Sequence, residues 1–159
     1  MVKKLMILLI AFSPLMVKAE KAEVIDVEAQ AKRAFLDGLF MLKRKKYDKA
    51  ADKFKLAIEK QPKLAEAHNN YAFAIRQVAP ENYEESLKHY GIALQLKPRL
   101  AVAYQYRGCL HTLMGNLDLA KKDYQALIKL GEKDLAAQLA TFVKENGMNP
   151  KEGGVALSY

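Results

Sequence analysis

One cysteine, three serines and two threonines leave this 159-residue chain poor in nucleophiles. A hydrolytic triad needs a hydroxyl or thiol held by a base and a third orienting group. Ser86, Ser158, Thr112 and Thr141 have no histidine and carboxylate at a readable spacing. Cys109 stands alone, which excludes an internal disulfide, and it reads as a small apolar packing residue. The three histidines, His68, His89 and His111, lie far apart, whereas a helical zinc site wants ligands three or four residues apart. C-x-x-C-H and a glycine-rich phosphate loop are both missing, so neither cofactor nor metal is expected. Long apolar runs are scarce too. Residues 5–17 carry no charge, but 13 residues broken by Pro14 fall short of the roughly 20 that span a bilayer.

That short run has a different reading. Lys3 and Lys4 precede it, and Val17 and Ala19 stand where a signal peptidase reads small residues. Residues 1–19 therefore read as a secretory signal peptide cut after Ala19, with the rest periplasmic or secreted. Cleavage removes three lysines and lowers the net charge from +8 to +5.

What the chain has is a repeat. Ala50, Phe54 and Ala57 recur in spacing as Ser86, Tyr90 and Ala93, and again as Ala120, Tyr124 and Leu127. A bulky residue stands three places before each set, at Tyr47, Tyr83 and Leu117. Gly38, Ala72 and Gly108 supply a small residue upstream, where two helices must approach closely. Pro62 and Pro98 end the first two copies, and Glu132 stands where a third proline would fall. Units begin near Ala31, Ala65 and Ala101, at intervals of 34 and 36 residues. That period belongs to stacked helical hairpins, which cannot cover their apolar faces alone. The second unit carries two extra residues near 78–83, where Pro80 places the surplus in a turn. Leu135, Leu139, Phe142 and Val143 form one face of a last helix that Gly147 can stop.

This pattern resembles the tetratricopeptide repeat family over residues 31–134. The resemblance implies an all-α fold, a right-handed α-solenoid of three helical hairpins plus a C-terminal capping helix. The expected organisation is a lead-in at 20–30, a repeat domain at 31–147 and a flexible tail at 148–159. Within the domain the units are 31–64, 65–100 and 101–134, followed by the cap at 135–147. The resemblance also implies a concave groove lined by the first helix of each unit. Its expected binding residues are Phe35, Leu39, Asn69, Asn70, Phe73, Arg76, Gln105 and Tyr106, with Lys32, Leu36, Glu66, Val102 and Cys109 alongside. Some relatives clamp a C-terminal carboxylate with Lys, Asn, Asn, Lys and Arg. Only Asn70 matches that set; Phe35, Leu39, Val102 and Tyr106 replace the others, so no such clamp is expected. Residues 24–27 compete as an internal cover for Phe35, Leu36 and Leu39.

Charge is uneven. Residues 31–64 hold eleven Lys or Arg against four Asp or Glu, whereas residues 65–100 balance. Lys49, Lys53 and Lys60 fall on one helical face, and Lys45 precedes them in the turn, giving a basic stripe. An anionic surface is the partner such a stripe suits, unless Asp48, Asp52 and Glu59 neutralise it. Export argues against nucleic acid. The reading is an exported adaptor without enzymatic activity, holding a protein or peptide in its groove for assembly of an envelope complex. Its alternative is an accessory subunit docking through the basic face. Val155, Leu157 and Tyr159 alternate in the tail and read as an ordinary chain end, with strand addition to a partner's sheet as the other reading.

Overall fold

The computed structural model describes residues 14–147, all of it helix and turn. Seven α-helices follow one another: α1 (Pro14–Lys43), α2 (Tyr47–Lys60), α3 (Ala65–Val78), α4 (Tyr83–Leu96), α5 (Ala101–Leu113), α6 (Leu117–Leu130) and α7 (Lys133–Asn146). They pair as antiparallel hairpins, α1 with α2, α3 with α4 and α5 with α6, and α7 packs on α5 and α6 as the cap. Residues 1–13 and 148–159 lie outside the described residues, and with them most of the expected signal peptide at 1–19 and the whole expected tail. Among the described residues no helix is long and apolar enough to cross a membrane.

Each hairpin follows from the repeat. In α2, Ala50, Phe54 and Ala57 are fully buried, at i, i+4 and i+7 on one face. Asp48 in its first turn and Lys60 in its last both suit the helix dipole. Phe54 joins Tyr71, Ala74 and Ile75 of α3, which fuses the first hairpin to the second. Tyr90 does the same one unit on, between Ala72 and Leu110. Leu127, Leu139 and Val143 then close the stack against the cap. Two glycines mark the tightest approaches. A Cβ at Gly38 would stand 2.6 Å from the Phe54 ring, and one at Gly108 would stand 2.6 Å from Leu139 Cδ2.

The turns repeat as well. Lys45 and Gly115 occupy the same place in the first and third units, both left-handed at φ 55° and 77°. The residue after each donates back to the end of its first helix, Lys46 N–H to Met41 O and Asn116 N–H to His111 O. The second unit, two residues longer, instead passes through a short 3-10 turn at Pro80–Asn82, which places the surplus where Pro80 required it. There Asn82 Nδ2 donates to Ile75 O and so satisfies a carbonyl at the end of α3. Glu132 replaces the third proline without harm, because Gly131 at φ 80° ends α6 and turns the chain into α7.

The first helix is the longest. Residues 20–30, expected as a lead-in to the repeats, lie within α1, which runs unbroken for 30 residues. Between Pro14 and Gly38 the sequence has neither proline nor glycine and is rich in Ala, Glu and Lys, so nothing interrupts it. Residues 24–27 continue along the axis instead of folding back, so they do not cover Leu36 and Leu39, which stay 52% and 37% exposed.

Candidate functional site

The candidate groove would run along α1, α3 and α5, the first helix of each unit. Leu36 and Leu39 of α1 are open to solvent, with exposed Lys32 and Lys43 flanking them. Phe40 is also exposed, with the Arg44 guanidinium 4.3 Å from its ring centroid. Asn70, Phe73 and Arg76 of α3 and Tyr106 of α5 are half-buried.

Other groove candidates lie elsewhere. Phe35 turns inward, its ring 5.7 Å from that of Phe54, and packs against two core clusters. Asn69 is buried at 3% exposure and donates through Nδ2 to Asn70 Oδ1 at 3.1 Å. Gln105 is buried and donates to Gln138 Oε1 of α7 at 2.7 Å, so the cap takes it out of the groove. Glu66 accepts from Lys97 Nζ at 2.6 Å; that bond holds its carboxyl below the usual range, against a smaller opposing effect of burial. Cys109 is buried among apolar residues as a packing residue, and burial pushes its thiol up to about 11.

At the groove's centre the side chains form an aromatic nest around one cation. Phe73 and Tyr106 stand 4.9 Å apart, and the Arg76 guanidinium lies 5.1 and 5.6 Å from their ring centroids. Tyr47 closes one side at 6.3 Å from Phe73, and fully buried Tyr90 lies behind, 6.4 Å from Tyr106. Arg76 Nε and the Tyr90 hydroxyl are both buried without a hydrogen-bond partner, as is Asn69 Oδ1. Burial pushes the Tyr90 hydroxyl's pKa up, although the nearby Arg76 charge opposes this. Repeat spacing identified Tyr90 as a packing aromatic but held no signal for its stranded hydroxyl.

Two further polar pairs escaped the sequence. Arg107 donates through Nε and Nη2 to the two oxygens of Asp123, at 3.0 and 2.6 Å, and Asp123 is 2% exposed. This fork ties α5 to α6. His68 and His89, 21 residues apart, meet Nδ1 to Nδ1 at 2.9 Å with stacked rings. His68 Nε2 lies 2.9 Å from Pro62 O. A carbonyl only accepts, so Nε2 carries the hydrogen, and His68 Nδ1 in its neutral form accepts from His89. Burial pushes His89 down to about 4, with the His68 and Lys88 charges in the same direction and Glu85 opposing. Beside them Tyr71 donates to Glu85 Oε1 at 2.8 Å; burial first, then that carboxylate, raise the phenol to about 12. The described residues bring no three His, Cys, Asp or Glu side chains together as metal ligands would be.

The basic stripe is partly realised. Lys49 and Lys60 are exposed on α2, while Lys45 belongs to the turn before it. Lys53 lies 3.9 Å from Asp37 of α1, a pairing across the hairpin and not with the acids of its own helix. Lys60 also lines a cleft of about 540 Å³ between residues 23–28 of α1 and the turn after α2, with Glu23, Val24, Val27 and Glu28 opposite.

With this geometry in place, comparison identifies the architecture. No protein-family model matches the sequence, and no curated protein matches it. Among solved structures, the first tetratricopeptide-repeat domain of Spaghetti (RPAP3), bound to the HSP90 peptide SRMEEVD, superposes with a TM-score of 0.66 at 22% identity. The match covers 74% of this chain and 94% of that one. The second such domain of the same protein, bound to the same peptide, gives 0.63 at 26% identity, covering 69% and 98%. The chain has the tetratricopeptide-repeat fold.

Proposed function

We propose that this chain is an exported adaptor, without catalysis of its own, that holds a segment of a protein partner in its concave groove. The observation that carries the reading is the open face of Leu36 and Leu39 running into the half-buried Asn70, Phe73, Arg76 and Tyr106. Apolar anchors beside a few fixed polar groups suit a helix or an extended peptide. The RPAP3 domains, similar in fold, are bound to a peptide, which supports the same use here. They do not transfer their ligand, because Phe35, Leu39, Val102 and Tyr106 replace four of the five residues of a terminal-carboxylate clamp. Export rests on residues 1–19, and assembly of an envelope complex would follow from that compartment.

The test places a photo-crosslinking amino acid at Leu39 or at Lys49 in the tagged, full-length protein made in its native cell. Adducts to one discrete partner from position 39, and none from 49, are expected. Adducts from 49 alone would move the site to the basic face and favour the accessory-subunit reading, for which the exposed Lys49 and Lys60 speak. Edman sequencing of the same preparation should begin at Glu20. Intact Met1 on membrane-bound protein would refute cleavage after Ala19 and favour an uncleaved membrane anchor.

A further inference from the structure

Arg76 is a cation without an anion. The three ion pairs among the described residues are Lys53 with Asp37, Lys97 with Glu66 and Arg107 with Asp123. The Arg76 guanidinium lies against two ring faces, and its Nε–H is buried without an acceptor. Aromatic faces attract a guanidinium, but they do not replace an acceptor for a buried N–H. Arg107 provides an internal comparison. It is also half-buried and also lies against a ring, Tyr104 at 5.7 Å, yet it is forked onto a carboxylate. Arg76 differs from it in lacking only the carboxylate.

The neighbouring unsatisfied groups point the same way. Asn69, Phe73 and Arg76 fall at i, i+4 and i+7, one stripe of α3. Among the described residues, that stripe and Tyr90 hold three of the four buried side-chain polar atoms that find no partner: Asn69 Oδ1, Arg76 Nε and the Tyr90 hydroxyl. Stranded polar atoms are uncommon in folded proteins and call for an explanation, and here they gather beside the groove. Two of them, the Arg76 and Tyr90 groups, donate; the third, on Asn69, accepts.

We propose that Arg76, lying against the rings of Phe73 and Tyr106, receives the carboxylate of an Asp or Glu side chain in the middle of the bound peptide. The inference rests on the groove reading and specifies its ligand. A carboxylate is the partner that the half-buried Arg76 lacks, and a guanidinium fork binds one in plane. The rings would take apolar residues next to the acid, and Lys32, Lys43 and Arg44 around Leu36 and Leu39 favour further acidic residues. This differs from capture of a chain terminus, since the acid is a side chain.

The probe is a phage-displayed library of random peptides fused through their C-termini, so that no free terminal carboxylate is offered, panned on the full chain. Enriched sequences should share an Asp or Glu flanked by apolar residues. A synthetic, amide-capped copy of the best one should bind about ten- to hundredfold more weakly when its acid becomes Gln or Asn. The same exchange should change nothing on Arg76→Gln, and Arg76→Lys should retain part of the preference. An acid-to-amide exchange that matters equally on wild type and Arg76→Gln overturns the proposal, as does enrichment of sequences without an acid. Leu39→Asp then separates the two readings. If it abolishes binding while Arg76→Gln does not, the groove stands and the Arg76 assignment fails. If it leaves binding intact, or if no sequence is enriched, the groove reading fails as well.

Discussion

Replacing Gly38 with alanine sets two effects of opposite sign against each other. In a helix, alanine gains about 1 kcal/mol over glycine, through lower conformational entropy in the unfolded chain. Against that, the new Cβ would stand 2.6, 2.8 and 2.8 Å from three carbons of the Phe54 ring, where carbon contacts prefer about 3.5–4.0 Å. Phe54 is fully buried, with the Phe35 ring 5.7 Å away, so its ring cannot swing into open space. Overpacking of this kind costs about 1–3 kcal/mol, and contact with three ring atoms argues for the upper half of that range. Net destabilisation of roughly 1–2 kcal/mol is expected. Gly91 is the control. It is also helical, in α4, but nothing lies within 4 Å of its Cβ position. Gly91→Ala should therefore stabilise by up to about 1 kcal/mol. Urea unfolding followed by circular dichroism measures both, and the quantity that decides is the gap of about 2–3 kcal/mol between them. Phe54→Leu should narrow that gap in the Gly38→Ala background, because the shorter side chain vacates the contested space. Two alanine variants equal within about 0.5 kcal/mol, or no coupling to Phe54, would refute the close approach of α1 to α2.

Arg107→Ala strands a carboxylate that is 2% exposed and should cost about 3–5 kcal/mol in the same assay. A loss below about 1 kcal/mol would mean the fork contributes little. At the equivalent turns, Gly115→Ala should cost about 1 kcal/mol from backbone strain alone, while Lys45→Gly should be neutral or gain up to about 1 kcal/mol, since only lysine is strained at φ 55°. His89, ordinarily near 6.5 and depressed to about 4 in the fold, takes up protons more readily in the unfolded chain. Stability should therefore be complete above pH 6.5 and fall as the pH drops from 6.5 towards 4; His89→Gln should flatten that part of the urea-midpoint profile, and an unchanged slope would contradict the depressed pKa.

The repeat was legible because it is a matter of packing at fixed offsets. Ala50, Phe54 and Ala57 must face one way in any hairpin of this period, and they do. Helix number and order followed, as did the turn at Pro80 and the cap around Leu139. The unbroken α1 is written in the lack of Gly and Pro between Pro14 and Gly38, while the repeat pattern, which starts near Ala31, carries no information about residues before it. The groove was only half legible. A family register says which positions of a helix tend to face the groove, not how neighbouring helices lean. Phe35 and Gln105 hold groove positions by register, yet the first meets Phe54 and the second meets Gln138. The Arg107 fork and the histidine pair join residues 16 and 21 positions apart on different helices, and no helical periodicity links such positions.

The cap also bears on where a partner can lie. Gln105 is bonded to Gln138, and Leu139 packs onto Gly108, so α7 covers the face of α5 that a further repeat would cover. Nothing equivalent covers the other end among the described residues: Leu36 and Phe40 of α1 are 52% and 51% exposed. Apolar exposure is thus concentrated toward the first unit, where the basic residues also concentrate, while the unpaired Arg76 stands on α3 one helix further in. A partner entering over α1 meets aliphatic anchors and lysines first and the aromatic nest second. On the proposed reading, hydrophobic contact near Leu36 and Leu39 would supply affinity without much sequence preference, since apolar burial is non-directional. Selectivity would then fall to Arg76, because a buried donor that must be satisfied rejects an uncharged isostere far better than an apolar pocket rejects a wrong aliphatic.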